Sequence, residues 1–486
     1  VSQIEDLAVE LRALLGQEAV VDDLQGRQAY REDGVEGYTG TPVLVVLPAG
    51  GAQAAGAVRA CSAAGVPFVT EDAGTHRSAG APPVEVVLIM SSPVRSIGED
   101  DPIRHSVARP RPHRFADRVR RAAVFALFPH PRRLRLLRGP IRAYQGSGMP
   151  GLVRRQGLLR RLSPAVGAME TIAPPLGRWT PVPAFTPAVG AGRGTVGLLL
   201  GCVQRELFPD TNAATARVLA AEGFAVVAPG GQGCCGALSA HNGRDAEARR
   251  LARSLINTFE GSGVDHVVVN AAGCGSAMKG YSDLLAGDPT YAGRAVAFSG
   301  RVVDITELLV RVGSVAPRHP LRVTVAHHDA CHLAHGQGVR DQPRTLLAEI
   351  PDLELRELAE GSVCCGSSGI WNVADPAPDA GLGNRKAAAV LASGVRLVVT
   401  ANPGCLLQIA AAIERTDSDA RVALAHPVDV LDASIRRLPV ESLVIPDDRV
   451  WVDGPGPGLR IAAADLPASE DGAAAPSPSS DGGPAA

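Results

Sequence analysis

The chain has 486 residues, with 48 Lys and Arg against 50 Asp and Glu for a net charge of −2, so it lacks the basic footprint of a nucleic-acid binder. Its 45% hydrophobic content supports a sizeable buried core, and its length suits roughly two to four domains. The absence of a long uncharged apolar run predicts no transmembrane helix, and the acidic, amphipathic start "VSQIEDLAVELRALLGQ" is unlike a secretory signal. The expected localisation is therefore cytoplasmic, where nine cysteines read as ligands rather than as a disulfide framework.

In chain order, the first predicted unit is βαβ: a strand at Val43–Leu47, a helix through Ala54–Ala64 and a strand at Val66–Val69. Cys61, alone on that helix, is expected in its core. A glycine-bearing loop, "DAGTHRSAG", follows the second strand. Residues 104–161 then hold sixteen arginines and a single acid, Asp117. Prolines at 110, 112, 129, 131, 140 and 150 are expected to prevent long helices there. A solvated connector is the favoured reading of this stretch, with peripheral contact to an anionic lipid surface, or to an acidic partner, as the functional alternative.

Eight of the nine cysteines fall into two equal sets beyond this region. The first is Cys202, Cys234, Cys235 and Cys274; the second is Cys331, Cys364, Cys365 and Cys405. Matching members stand 129, 130, 130 and 131 residues apart, which predicts a duplicated unit. "TVGLLLGC" and "RVTVAHHDAC" are apolar runs that end at a cysteine, as are "HVVVNAAGC" and "RLVVTANPGC". Helix-like segments lie between them, so each unit is expected to be a parallel sheet covered by helices. Cysteines just beyond strand ends sit where such sheets gather ligands, and a "CCG" loop in each unit can bring two more thiolates. Gly236 and Gly366 are expected to let backbone approach a bulky inorganic group. His327, His328, His332 and His335 surround Cys331; ordinary loop histidines are the favoured reading and a ligand or proton carrier the alternative. Asn270 and Asn402, ahead of the last cysteine of each set, are expected to fix turns.

These motifs resemble the cysteine-rich CCG domain found in heterodisulfide reductases and in the glycolate oxidase iron–sulfur subunit. "GCVQRELFPDTN", "QGCCGALSAHNG", "NAAGCGSAMKGY" and "HDACHLAHGQGVRDQPRTLL" are most similar to the glycolate oxidase branch, over about Gly194 to Leu438. The resemblance implies electron transfer, with a 4Fe–4S-type cluster held by the four cysteines of each set. The fullest motif ends in CxxC, whereas Ala277 and Gln408 stand at the third position after Cys274 and Cys405. Four thiolates still suffice for one cluster or one zinc.

Residues 31–83 resemble the start of the flavin-binding domain of glycolate oxidase-type FAD enzymes. That resemblance implies FAD contacts at Gly74, Thr75, Ser78 and Gly80, although Glu71 and Asp72 would oppose a pyrophosphate. The rest of the flavin domain is not recognisable.

The expected fold class is thus α/β, with a partial FAD-binding unit at 1–98, a basic linker at 99–193, CCG units at 194–320 and 321–443, and a disordered tail at 444–486. The expected function is iron–sulfur electron transfer in a 2-hydroxy-acid dehydrogenase complex, with a flavin subunit and an electron acceptor as partners and no catalytic acid or base in this chain. A thiol–disulfide oxidoreductase and a zinc-bound docking module are the alternatives.

Overall fold

The computed structural model describes residues 2–23, 27, 43–48, 51–66, 68–72, 87–91, 122–156, 167, 170, 173–174, 176–177, 179–359, 361, 364–367, 376–416 and 422–443. The segment expected to form a disordered tail lies outside them.

At the N-terminus the helices Ser2–Leu15 and Gly51–Ala63 pack together, and Gly56 is the point of close approach. A Cβ there would come within 2.7 Å of Leu14. Leu7, Leu11, Val58 and Cys61 from these helices join Leu44 and Val46 in one apolar core. Burial pushes the Cys61 thiol up to about 12, as suits a packing residue. The sheet beside them has four strands: β1 (Val20–Val21), β2 (Leu44–Val46), β3 (Phe68–Asp72) and β4 (Val87–Ser91). Their order is β1-β2-β4-β3, so β4 inserts between the two strands of the expected βαβ unit and pairs parallel with both.

The basic segment departs from expectation. Pro131–Gly146 is one helix of 16 residues with Pro140 inside it. Pro131 stands in the first turn, where the backbone donor it lacks has no partner to lose, and its fixed φ favours helix. The helix is held from outside as well: Arg135 pairs with Glu206 at 2.9 Å and stacks over Trp179, while Arg138 reaches the carbonyls of Glu206 and Gly177. These tertiary contacts offset the hydrogen bond that Pro140 removes.

Beyond the linker lie two sheets of matching design. The first contains β5 (Phe185–Thr186), β6 (Thr195–Leu198), β7 (Ala225–Val227), β8 (His266–Val269) and β9 (Val302–Asp304), in the order β5-β7-β6-β8-β9. The second contains β10 (Val323–His327), β11 (Leu353–Glu357), β12 (Leu397–Val399) and β13 (Ala423–Ala425), in the order β11-β10-β12-β13. Apart from the antiparallel edge strand β5, strand order and direction agree position by position. The duplication in the cysteine spacing is therefore a duplication of fold. The interior strand β12 is buried throughout, as a parallel strand covered on both faces must be, and so is β13 at one end of the sheet. The edge strand β11 instead exposes Glu354 and Arg356, charges that discourage further pairing.

The two units share one core. Helix Pro209–Ala221 of the first packs on Pro427–Ile435 of the second, and Ile305–Val312 of the first packs on Asp341–Ala348 of the second. Each unit thus lends its first crossover helix and its last helix, an exchange with pseudo-twofold symmetry. Both last helices start with a capping box, Asp304 with Glu307 in one and His426 with Asp429 in the other. Across the junction Arg217 grips Asp432 with two hydrogen bonds of 2.9 and 2.6 Å, and the Thr211 hydroxyl donates to Asp429 at 3.1 Å.

Candidate metal centres

In both sheets the first strand of the unit, β6 or β10, lies between the second and the third. The chain leaves it towards one side and returns on the other, so a crevice opens beyond the carboxyl ends of β6 and β8, and of β10 and β12. Cys202 follows β6 and Cys274 follows β8; Cys331 and Cys405 occupy the same places after β10 and β12.

The adjacent cysteines enter each crevice on a sharp turn closed by glycine. Gly236 has φ +83° and Gly366 φ +78°, the left-handed region that side-chain-bearing residues avoid. This conformation aims the Gly236 N–H at Cys234 Sγ (3.3 Å) and the Gly366 N–H at Cys364 Sγ (3.4 Å). The expected reason for glycine needs correcting in one respect. A Cβ at Gly236 would face the backbone of Ala248, 3.2 Å from its carbonyl oxygen, so close approach is to a helix, and the turn itself requires the glycine.

In the first unit the sulfurs form a chain of neighbours. Cys202 Sγ is 3.4 Å from Cys234 Sγ, Cys235 Sγ is 3.0 Å from Cys274 Sγ, and the vicinal pair joins the two ends. The second unit repeats the sequence of neighbours, Cys331 with Cys364, Cys364 with Cys365, and Cys365 with Cys405. The structure thus brings together all four cysteines of each set. The neighbouring Cys234 thiol, and burial after it, hold Cys202 far above the ordinary thiol range; Cys364 and burial do the same to Cys331. Cys405 is held low by Cys365 first and, against burial, by His328 and Asn402. Four crowded, mostly buried thiols cannot all ionise against one another. A cation among them would reverse that balance and release their protons. The donor set therefore fits a thiolate-bound metal or cluster.

Sequence reasoning missed several groups around these sulfurs. Tyr281 is fully buried, stacks on Phe298 and donates its hydroxyl to the Cys235 carbonyl at 2.5 Å, so it braces the first CCG turn. Its only signal was its place shortly after Cys274. The two asparagines prove not to be equivalent. Asn270 donates to Asn212 and Thr215, tying β8 to a helix, as a structural residue would. Asn402 donates to Cys405 Sγ at 3.4 Å and accepts from the Gly273 N–H at 3.4 Å, so it touches one sulfur and the neighbour of another. Ala272 N–H also donates to the Ala401 carbonyl (2.9 Å), and the two crevices thereby meet at the ends of β8 and β12.

The four histidines divide. His327 lies 3.3 Å from Asp329, which Arg344 clasps. His332 Nδ1 is 3.4 Å from Cys331 Sγ, and its Nε2 is 3.1 Å from His241 of the first unit. His335 Nδ1 meets Arg340. A ring nitrogen of His328 and the sulfurs of Cys365 and Cys405 lie within 4.8 Å of one another. The FAD contacts expected at Gly74, Thr75, Ser78 and Gly80 fall outside the described residues. Among the described residues, no helix is long and apolar enough to cross a membrane.

Comparison with known proteins agrees with this architecture. The profile of the glycolate oxidase iron–sulfur subunit linker region matches residues 116–173, and that of the cysteine-rich domain matches 196–279 and 325–410. The chain is 36% identical over 336 residues to the probable glycolate oxidase iron–sulfur subunit of Bacillus subtilis strain 168, covering 68% of this chain and 75% of that one. It is 30% identical over 247 residues to the glycolate oxidase iron–sulfur subunit of Escherichia coli K12, covering 49% and 58%. Lactate utilization protein A of an Exiguobacterium species is 27% identical over 245 residues, 50% of this chain and 98% of that protein.

Proposed function

We propose that this chain, which belongs to the glycolate oxidase iron–sulfur subunit family, carries electrons from a flavin partner that oxidises a 2-hydroxy acid to a further acceptor. The observation that carries this reading is the pair of mostly buried four-cysteine sets joined by a short bonded route, from Cys274 through the Gly273 N–H and the Asn402 side chain to Cys405 Sγ. Cysteines 202, 234, 235 and 274 would hold one iron–sulfur cluster and cysteines 331, 364, 365 and 405 the other. Each cluster supplies a reversible one-electron store. The protein's share of the chemistry is to supply thiolates, to aim the Gly236 and Gly366 N–H groups at sulfur, and to exclude water with the apolar shell of Leu199, Met278 and Phe298 around the first set.

No residue of this chain is assigned to proton or hydride abstraction, and the flavin would reside in the partner. The purified chain, even with added FAD, is therefore expected not to oxidise glycolate or lactate. Mixed anaerobically with a flavin subunit and glycolate, its visible iron–sulfur absorbance should bleach. Dye reduction by glycolate with this chain alone would contradict the reading.

A further inference from the structure

The two centres are built on equivalent backbone but not on equivalent side chains. Leu199 stands three residues before Cys202, and His328 three residues before Cys331. Their main chains coincide: Leu199 N–H donates to the Val268 carbonyl (3.0 Å) and His328 N–H to the matching Val399 carbonyl (2.9 Å). Leu199 closes the first set with apolar surface, whereas His328 places a buried imidazole against Cys365 and Cys405.

We propose that His328 is a further ligand, through Nε2, of the centre held by Cys331, Cys364, Cys365 and Cys405, which makes the two centres chemically unlike. The inference rests on the reading that these cysteines hold metal. His328 Nδ1 is 3.1 Å from the Gly361 carbonyl, an acceptor, so Nδ1 carries the proton and Nε2 keeps a lone pair. Metal-bound imidazoles are characteristically anchored in this way, with the other N–H on a backbone carbonyl. Among the described residues, Nε2 is buried and has no hydrogen-bond partner beyond the neighbouring Cys405 sulfur. Once metal takes the thiol protons, neither Cys365 nor Cys405 can donate to it. A buried acceptor would then be stranded beside the metal unless the metal itself is its partner. An imidazole in place of apolar contact should also raise the potential of the second centre above that of an all-thiolate one.

The test uses the full chain, purified anaerobically with isotope-labelled histidine and reduced by one electron. Pulsed paramagnetic resonance should show the strong nitrogen coupling of a bonded imidazole. That coupling should vanish in His328→Ala and persist in His332→Ala, whose ring nitrogen meets the Cys331 sulfur. In parallel, chelator challenge should show metal affinity at the second unit falling at least about tenfold in His328→Ala, with the first unit unchanged. Should the alanine variant fail to fold, His328→Cys restores a ligand and should keep the metal while losing the coupling. Metal-loaded wild type without the coupling, or a coupling that survives in both His328 variants, overturns the ligand assignment alone. A wild-type chain that takes up no metal overturns it together with the reading on which it rests.

Discussion

Asp429 sits where the two units join, accepting from the Thr211 hydroxyl and from the His426 N–H, with Asp432 and Asp210 as its acidic neighbours. Burial, before any other influence, pushes its carboxyl up to about 8. The folded value exceeds the unfolded one of 3.8, so the stabilisation it contributes is complete below that value and is lost as pH rises through about 8. Asp429→Asn keeps a neutral group there. It should match wild type in urea unfolding only near about pH 3.5, below the unfolded value, and exceed it by at least about 1 kcal/mol near pH 9; equal stabilities at both would show that Asp429 ionises freely. Tyr281→Phe removes the hydrogen bond to the Cys235 carbonyl, and the expected loss is about 1 kcal/mol, read from the same transition. At this scale the thiolate sets were legible, because sulfur at repeated spacing has few uses other than sulfur chemistry. The division between His327 and His328 was not. Adjacent residues at a strand end point to opposite sides, and only the fold decides that His327 meets Asp329 while His328 meets cysteine.

The elements that position the sulfurs are strands ending at cysteines and two glycine-closed turns. Replacing Gly236 or Gly366 with Ala forces a Cβ into left-handed backbone at a cost of about 1–2 kcal/mol. Each variant should also lose metal from its own unit, because the N–H that meets Cys234 or Cys364 moves with the turn. Metal analysis showing full loading of both units would contradict the role given to these turns. The strands themselves were readable from short apolar runs, and β6, β8, β10 and β12 fall where those runs predicted. Two features were not. The insertion of β4 depends on pairing between strands distant in sequence, about which a local apolar pattern is silent. The helix Pro131–Gly146 defeats the proline rule because Arg135 and Arg138 anchor it to Glu206, a contact 68 to 71 residues away.

For the whole molecule, the shared core means that neither unit buries its exchanged helices alone. Val196 and Leu198 of the first sheet belong to the same cluster as Val325 and Leu397 of the second sheet and Val430 of the helix Pro427–Ile435. Both units should therefore lose hydrogen-exchange protection together when Arg217→Ala breaks the grip on Asp432, whereas protection lost only in the first unit would show separable domains. Pseudo-twofold exchange was foreshadowed by the nearly constant cysteine offset; which helices cross over was not, since that depends on the facing apolar surfaces of the folded units. The same symmetry makes the central claim testable in one measurement: iron, acid-labile sulfide and zinc per chain in anaerobically purified wild type, Cys234→Ser and Cys364→Ser. The account predicts iron with matching sulfide in wild type and about half of each in either variant, because each unit supplies its own four thiolates. Zinc without sulfide, or complete loss from a single substitution, would contradict it.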